Sequence, residues 1–439
     1  MRLSDDRRRF PARLPLAALT TLPGTYLGAA DYLGWPHPDV PAPLAALVFG
    51  IAIVGAAFIL AWAAEAAQVD VSAGLAIAVL ALVAVLPEYA VDLVFTFEAG
   101  QEFARQGTCV PPPGEPDPCS LALANMTGAN RVLVGFGWPL VVLVGAIAVR
   151  RAHRESRSTH EGRVVLAPVM SVEVVFLGLA TLYSLSLPLR ASLTMADAAV
   201  FLVIFAAYAW RLSKAPVEEP NLLGVSEWVG RRDRAPRRRW VIGMFAFAGT
   251  VILATAEHFA RNLVDTGSSL GVDEFVLVQW VAPLASESPE LIVACLYAAR
   301  LMASHSLGTL LSSKVNQWTL LVGTIPIVFA ISSGSTHGLP LDEHQRLELL
   351  ITAAQSLFAV SILADLGLTA VGATTLFVLF AAQFVASVTL PGAANRVVIL
   401  VLSGLYVLLA VVQLVRRRQI GARTARDGVV TPLPELARR

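Results

Sequence analysis

The sequence predicts an all-α polytopic membrane protein, and three observations carry that expectation. The 439 residues are 56% hydrophobic and only 15% charged, with a mean hydropathy of +0.66. Their apolar members fall in blocks of roughly twenty or more, the length a bilayer demands. A Pro-Glu pair interrupts an apolar run twice, as Leu86-Pro87-Glu88 and Ser288-Pro289-Glu290. A basic stretch from Arg211 to Arg239, with Pro216, Pro220 and Pro236, separates the spans into two halves.

Taken in order, residues 1–43 form a basic segment followed by an extra span, Leu14 to Leu33, whose apolar run is broken by Pro23, two glycines and Asp31. A cleaved signal peptide is the rival for this run, but its apolar core is interrupted and lacks a convincing cleavage site. The first half, residues 44–212, holds Leu44 to Ala67, Val71 to Phe97 with Pro87-Glu88, the polar loop Gln101 to Ser120, Leu121 to Val149, Val164 to Leu187, and Leu193 to Trp210. Residues 213–239 are the basic linker. The second half, 240–390, holds Trp240 to Val264, Val272 to Met302, Leu307 to Ser332, Leu347 to Asp365 and Leu368 to Leu390. Residues 391–439 carry an extra C-terminal span, Val397 to Val415, stopped by Arg416-Arg417-Arg418, and a polar tail expected to be disordered. The count is roughly twelve spans, a ten-helix core of two five-helix repeats with one helix added at each end.

Basic residues orient the chain, because Lys and Arg near span ends stay cytoplasmic. Arg150, Arg151, Arg154, Arg157 and Arg163, then Arg231 to Arg239, then Arg416 to Arg418 all fall on one side under this count. The Arg-poor loop between Cys109 and Cys119 then faces outward, where a disulfide is expected if the compartment is oxidising. Five spans per half make the second repeat enter the membrane in the opposite sense. Glu88 and Glu290 lie 202 residues apart and Asn130 and Lys314 lie 184 apart, a difference close to the length of the Gln101 to Ser120 loop that the second half lacks. Inverted repeats of this kind serve alternating access.

A proline inside a helix frees a backbone carbonyl and a glutamate brings a charge, and hydrocarbon tolerates neither unless they line a polar cavity. A single such Glu reads as a packing residue. The same pair at matching places in two halves points to an ion site.

The pattern resembles the cation/Ca²⁺ antiporter superfamily, which includes sodium/calcium exchangers, in a divergent sodium/proton-exchanger-like branch. Its repeats read roughly Gly-Thr-Ser-x-Pro-Glu and then, in the next helix, Gly-Ser-Asn-x-x-Asn. Here the first repeat offers Pro87-Glu88 and Gly128-Ala129-Asn130; the second offers Ser286-Glu287-Ser288-Pro289-Glu290 and Ser312-Ser313-Lys314-Val315-Asn316-Gln317. The resemblance covers about Leu44 to Leu390. It implies that the Pro-Glu helices cross their partner helices at mid-membrane, with Glu88, Asn130 and Glu290 as ligands and Ser286, Ser288 and Ser313 as oxygen donors. Glu88 and Glu290 are the metal ligands, and such hard oxygens suit Na⁺, Ca²⁺ or H⁺.

The departures are informative. Ala84-Val85-Leu86 replaces the hydroxyl residues of the first repeat, and Leu133 replaces its later Asn. In the second repeat Lys314 stands where an Asn or acid belongs, Gln317 replaces the later Asn, and Glu287 is an added carboxylate. Glu287 and Glu290, three residues apart on one helix face, need a cation nearby, and Lys314 is expected to act as a tethered one. Snorkelling to the interface is the alternative for Lys314. Arg131 is expected either to pair with Asp92, one turn beyond Glu88, or to face headgroups. Glu65, Asp92 and Glu257 are candidate relays, although Glu257 with His258 and Arg261 reads equally as a self-satisfied cluster. Glu173, Asp197 and Asp365 are expected at solvated span ends.

No soluble catalytic domain is left once the spans are subtracted, and neither a nucleotide-binding loop nor a His-Glu-x-x-His metal site occurs. The expectation is a secondary antiporter, not an enzyme, that exchanges Na⁺ or another small cation for H⁺. Alternatives are Na⁺/Ca²⁺ or Ca²⁺/H⁺ exchange, or an uncoupled channel or scaffold. Its partners are the lipid bilayer and small cations, with no nucleic acid and no prosthetic cofactor, and its place is the plasma membrane. The sequence leaves the oligomeric state open.

Overall fold

A computed structural model describes residues 10–70, 86–109, 118–153, 163–215, 222–271 and 274–438. Expectations resting on Ala84-Val85, the first half of the second span, Arg154, Arg157, Pro216 or Pro220 lie outside the described residues.

The chain enters with α1 (Arg13–Leu33) and α2 (Ala42–Ala67), which starts at a proline whose missing N–H costs nothing at the first turn. Then come α3 (Leu86–Gln106), α4 (Pro118–Val132) and α5 (Trp138–His153). Next are α6 (Ser171–Ser184) and α7 (Met195–Leu212), the latter opened by a capping box between Thr194 and Asp197. A short α8 (Val225–Gly230) leads to α9 (Arg234–Leu270), whose 37 residues reach about 55 Å at 1.5 Å per residue. The second half continues with α10 (Glu274–Ala299), α11 (Ala303–Asn316), α12 (Val322–Ser333), α13 (Glu343–Ile362) and α14 (Ala370–Thr389). Last are α15 (Gly392–Arg416), α16 (Arg418–Val429) and α17 (Leu433–Leu436). Among the described residues nine helical stretches are long and apolar enough to cross a membrane, and α1, α3 and α10 complete the expected twelve.

The halves repeat one another in detail. A π turn joins α4 to α5 at Leu133–Gly137 and another joins α11 to α12 at Gln317–Leu321, the same 184 residues apart as Asn130 and Lys314. Strand β1 (Arg163–Val165) pairs antiparallel with β4 (Gly367–Thr369), and β2 (Ser192–Leu193) with β3 (Leu339–Pro340). A two-fold axis that exchanges the halves also exchanges these two sheets.

The polar tail is not disordered. Helix α16 folds back along α6, because Arg211 donates from Nε to the Gly428 carbonyl at 3.0 Å and also reaches the Thr431 carbonyl, and Thr424 donates to the Ala364 carbonyl at 2.7 Å. Arg417 pairs with Asp365, and α17 buries Leu433 and Leu436. A mostly polar composition hid those two anchors. On the opposite side Cys109 and Cys119 are disulfide-bonded.

Candidate functional site

Helices α3, α4, α10 and α11 cross at the centre. Their close approach depends on Gly128, where a Cβ would lie 1.7 Å from the Gln279 carbonyl, so no side chain fits between α4 and α10. Glu88 on α3 and Glu287 on α10 are buried, and Gln317 holds the two together: its Nε2 donates to Glu88 at 3.2 Å and to Glu287 at 2.7 Å. Asp92 lies one turn on and accepts from Asn125 Nδ2 at 2.9 Å. Around this knot the carboxylate oxygens Glu88 Oε1, Glu287 Oε2, Glu290 Oε2 and Asp92 Oδ2 receive no protein hydrogen bond, nor do Asn316 Oδ1 and Ser313 Oγ. Buried acceptors ordinarily find donors. A set of bare hard oxygens on facing helices is what a small cation requires.

Lys314 is fully buried, which rules out snorkelling. Its ammonium donates at 2.7 Å to the Asn130 carbonyl and at 2.7 Å to Asn130 Oδ1, with Trp318 5.5 Å away. The Lys314 amine thus occupies the first repeat's Asn, not the gap between Glu287 and Glu290. Arg131, also fully buried, takes neither expected position. It pairs at 2.7 Å with Glu348 of α13, which further accepts from Gln279 at 3.0 Å, and it lies 4.8 Å from the Trp280 ring. Arg131 leaves α4 on the side facing α13, where Glu348 meets it.

A cavity of about 370 Å³ runs from Gln68 and Leu212, at the Arg-rich ends of α2 and α7, to Ser286, Glu290, Ser313 and Asn316. On the Arg-poor side an apolar plug replaces it: Phe49, Phe95, Leu121, Leu263, Phe275 and Val278, from α2, α3, α4, α9 and α10, pack in one cluster.

The family profile described as sodium/calcium exchanger protein matches residues 42–214 and 240–415. The chain belongs to the sodium/calcium exchanger family. The match takes in α15, beyond the limit of Leu390 that the motifs alone suggested. It is therefore a cation antiporter of the membrane-embedded kind. A solved structure titled as the H⁺/Ca²⁺ exchanger CAX is 39% identical over 96% of this chain and 97% of its own, with a TM-score of 0.82. The structure of native YfkE shares the fold at 14% identity, covering 85% of this chain and 99% of its own at a TM-score of 0.57. No curated protein sequence matches the chain.

In this exchanger the structure brings together most of the residues singled out from sequence. Glu88, Asn130, Glu287, Glu290, Ser313, Lys314 and Gln317 surround the centre, Asp92 flanks it, and Ser286 lines the cavity while its hydroxyl lies 3.4 Å from the Ala282 carbonyl. Ser288 does not join them. It faces an apolar groove beside Phe136 and Cys295, and its hydroxyl donates at 3.2 Å to the Ala285 carbonyl, the acceptor that a proline at 289 leaves free. Glu257 is far from the cavity, paired with Arg261 at 2.7 Å and receiving the Tyr32 hydroxyl at 2.6 Å, so the self-satisfied cluster describes it. Glu65 lines the cavity and accepts from Ser226 of α8. Glu173, expected in solvent at a span end, is instead 4% exposed and lines that cavity. Asp197 is likewise buried, as the cap of α7 held by Arg190 and Tyr183. Sequence reading passed over Asn316, Asn125, Gln279 and Glu348. Asn316 stands beside Lys314 in the quoted motif, and polar residues at turn spacing before an apolar run were the available signal for Glu348.

Proposed function

We propose that the chain exchanges Ca²⁺ for H⁺ by alternating access, with the Arg-rich face in the cytoplasm of a plasma membrane. One observation carries this reading: Glu290 Oε2 and Asn316 Oδ1 on the cavity wall, and Glu88 Oε1 and Glu287 Oε2 on the buried pair that Gln317 joins, receive no protein hydrogen bond. Ca²⁺ takes six to eight oxygens at about 2.3–2.6 Å. Glu290, the Asn316 side-chain oxygen and cavity water begin such a set, and Glu88 and Glu287 would have to draw in from Gln317 to complete it. Once the divalent ion leaves, the same carboxylates in low dielectric are neutralised by protons, which is the coupling an exchanger needs. The likeness to the structure titled as an H⁺/Ca²⁺ exchanger supports the choice of ions.

Exchange of Na⁺ for H⁺ is the second reading, favoured by Lys314, whose amine fills Asn130 where a mobile cation would otherwise bind. Proteoliposomes loaded with a pH dye, given Ca²⁺, Na⁺ and K⁺ gradients in turn, separate the two. Proton movement driven by Ca²⁺ and lost in Glu290→Gln is the expected result. Movement driven by Na⁺ alone overturns the calcium assignment, and flux without a counter-ion overturns the antiporter.

A further inference from the structure

Central ligands account for one end of the cavity only. Its wall holds two more carboxylates, Glu65 near the Arg-rich end of α2 and Glu173 in the first turn of α6. Buried acids elsewhere in the protein are met by cations or donors: Glu348 by Arg131 and Gln279, Asp197 by Arg190, Tyr183 and the Thr194 hydroxyl. Glu173 is as buried as these, yet its Oε2 receives no protein hydrogen bond. Tyr208 and Ser312 share the cavity wall with it. No Lys, Arg or His is among the described residues lining the cavity.

We propose that Glu173 and Glu65 form a staging site for a divalent cation in this vestibule, from which the ion passes to Glu290; the identity of the ion rests on the Ca²⁺/H⁺ reading. A cavity of about 370 Å³ admits on the order of ten waters at about 30 Å³ each, enough to complete the oxygen shell of a cation held by two carboxylates. The apolar remainder of the wall, including Ala57, Leu60, Ala61 and Ala64 of α2, keeps the local dielectric low, so the two charges focus cations at the mouth. Ser312 and Ser313 line the same cavity and offer further oxygens.

The test uses the full chain in everted membrane vesicles, with Ca²⁺ added to the cytoplasmic face and proton movement read by a dye. Glu173→Gln raises the half-saturating Ca²⁺ on the order of tenfold, the low end of what electrostatic focusing supplies, with a smaller effect at saturating Ca²⁺. Glu173→Asp restores most of it. A second arm measures equilibrium binding of ⁴⁵Ca²⁺ to purified Glu290→Gln protein, which retains weak binding that Glu173→Gln then removes. Failure of wild-type vesicles to move protons with Ca²⁺ refutes the exchange reading alone. An unchanged half-saturation in Glu173→Gln, or no ⁴⁵Ca²⁺ bound by Glu290→Gln protein, refutes the staging site.

Discussion

Arg131 and Glu348 offer the sharpest test of how the site is built, because both are buried and joined at 2.7 Å. Arg131→Met removes a guanidinium that also donates from Nε to the Thr127 carbonyl at 3.1 Å, and it leaves Glu348 with Gln279 as its near donor and His344 at 3.6 Å. Stranding one member of a buried pair costs about 3–5 kcal/mol. At about 2 °C per kcal/mol for a chain of this length, melting in detergent falls by about 6–10 °C. Glu348→Gln, stranding Arg131, costs a similar amount. The double variant removes both charges and leaves an amide that Gln279 still reaches, so it melts within about 2 °C of wild type. Melting of the four proteins by intrinsic fluorescence gives the coupling directly. Additive single effects would refute the pair, and a mild Arg131→Met would mean that Arg131 reaches water.

Two further perturbations address the ion path. Lys314→Asn uncovers the Asn130 carbonyl and Oδ1, so calorimetric titration finds Na⁺ binding that wild type lacks; an unchanged isotherm removes the tethered-cation argument. Phe95→Ala empties the centre of the plug opposite the cavity, costing about 3–5 kcal/mol as a core deletion. Because Phe95 is 2% exposed and packs among residues of α2, α4, α9 and α10, the variant also leaks protons in proteoliposomes without Ca²⁺, and tight vesicles would show that the seal lies elsewhere.

How much of this was legible depended on whether a residue's role is set within its own helix. The spans, the Pro-Glu pairs and the repeat offset are local, since apolar length and turn spacing are written along one segment. Partners across helices are not. Arg131 is close in sequence to the site, but its acid arrives from α13, more than two hundred residues later, and nothing in the spacing chooses Glu348 over Asp92. Glu173 shows the reverse case. Its place at the start of α6 suggested solvent, and only the packing of α2, α7, α10 and α11 around it encloses the carboxylate in a cavity. Ser288 matched the motif and still points away, because one position along a helix turns a side chain by about 100°.

The two repeats share a backbone but divide the chemistry unequally. Gln317 of the second repeat holds Glu88 of the first, while its counterpart at the same place in the other π turn, 184 residues earlier, is Leu133, which has nothing to donate to Glu290. Lys314 likewise holds Asn130, its own counterpart, and no reciprocal contact is available. Glu88 and Asn130 of the first repeat are therefore held by the second, and Glu290 faces the cavity with a bare Oε2. A rocking motion about the two-fold axis can open the Arg-poor side only by parting the apolar plug, since no polar path parallels the one on the Arg-rich side among the residues of that cluster. The bare carboxylate thus sits on α10, while the plug is built from α2, α3, α4, α9 and α10 together.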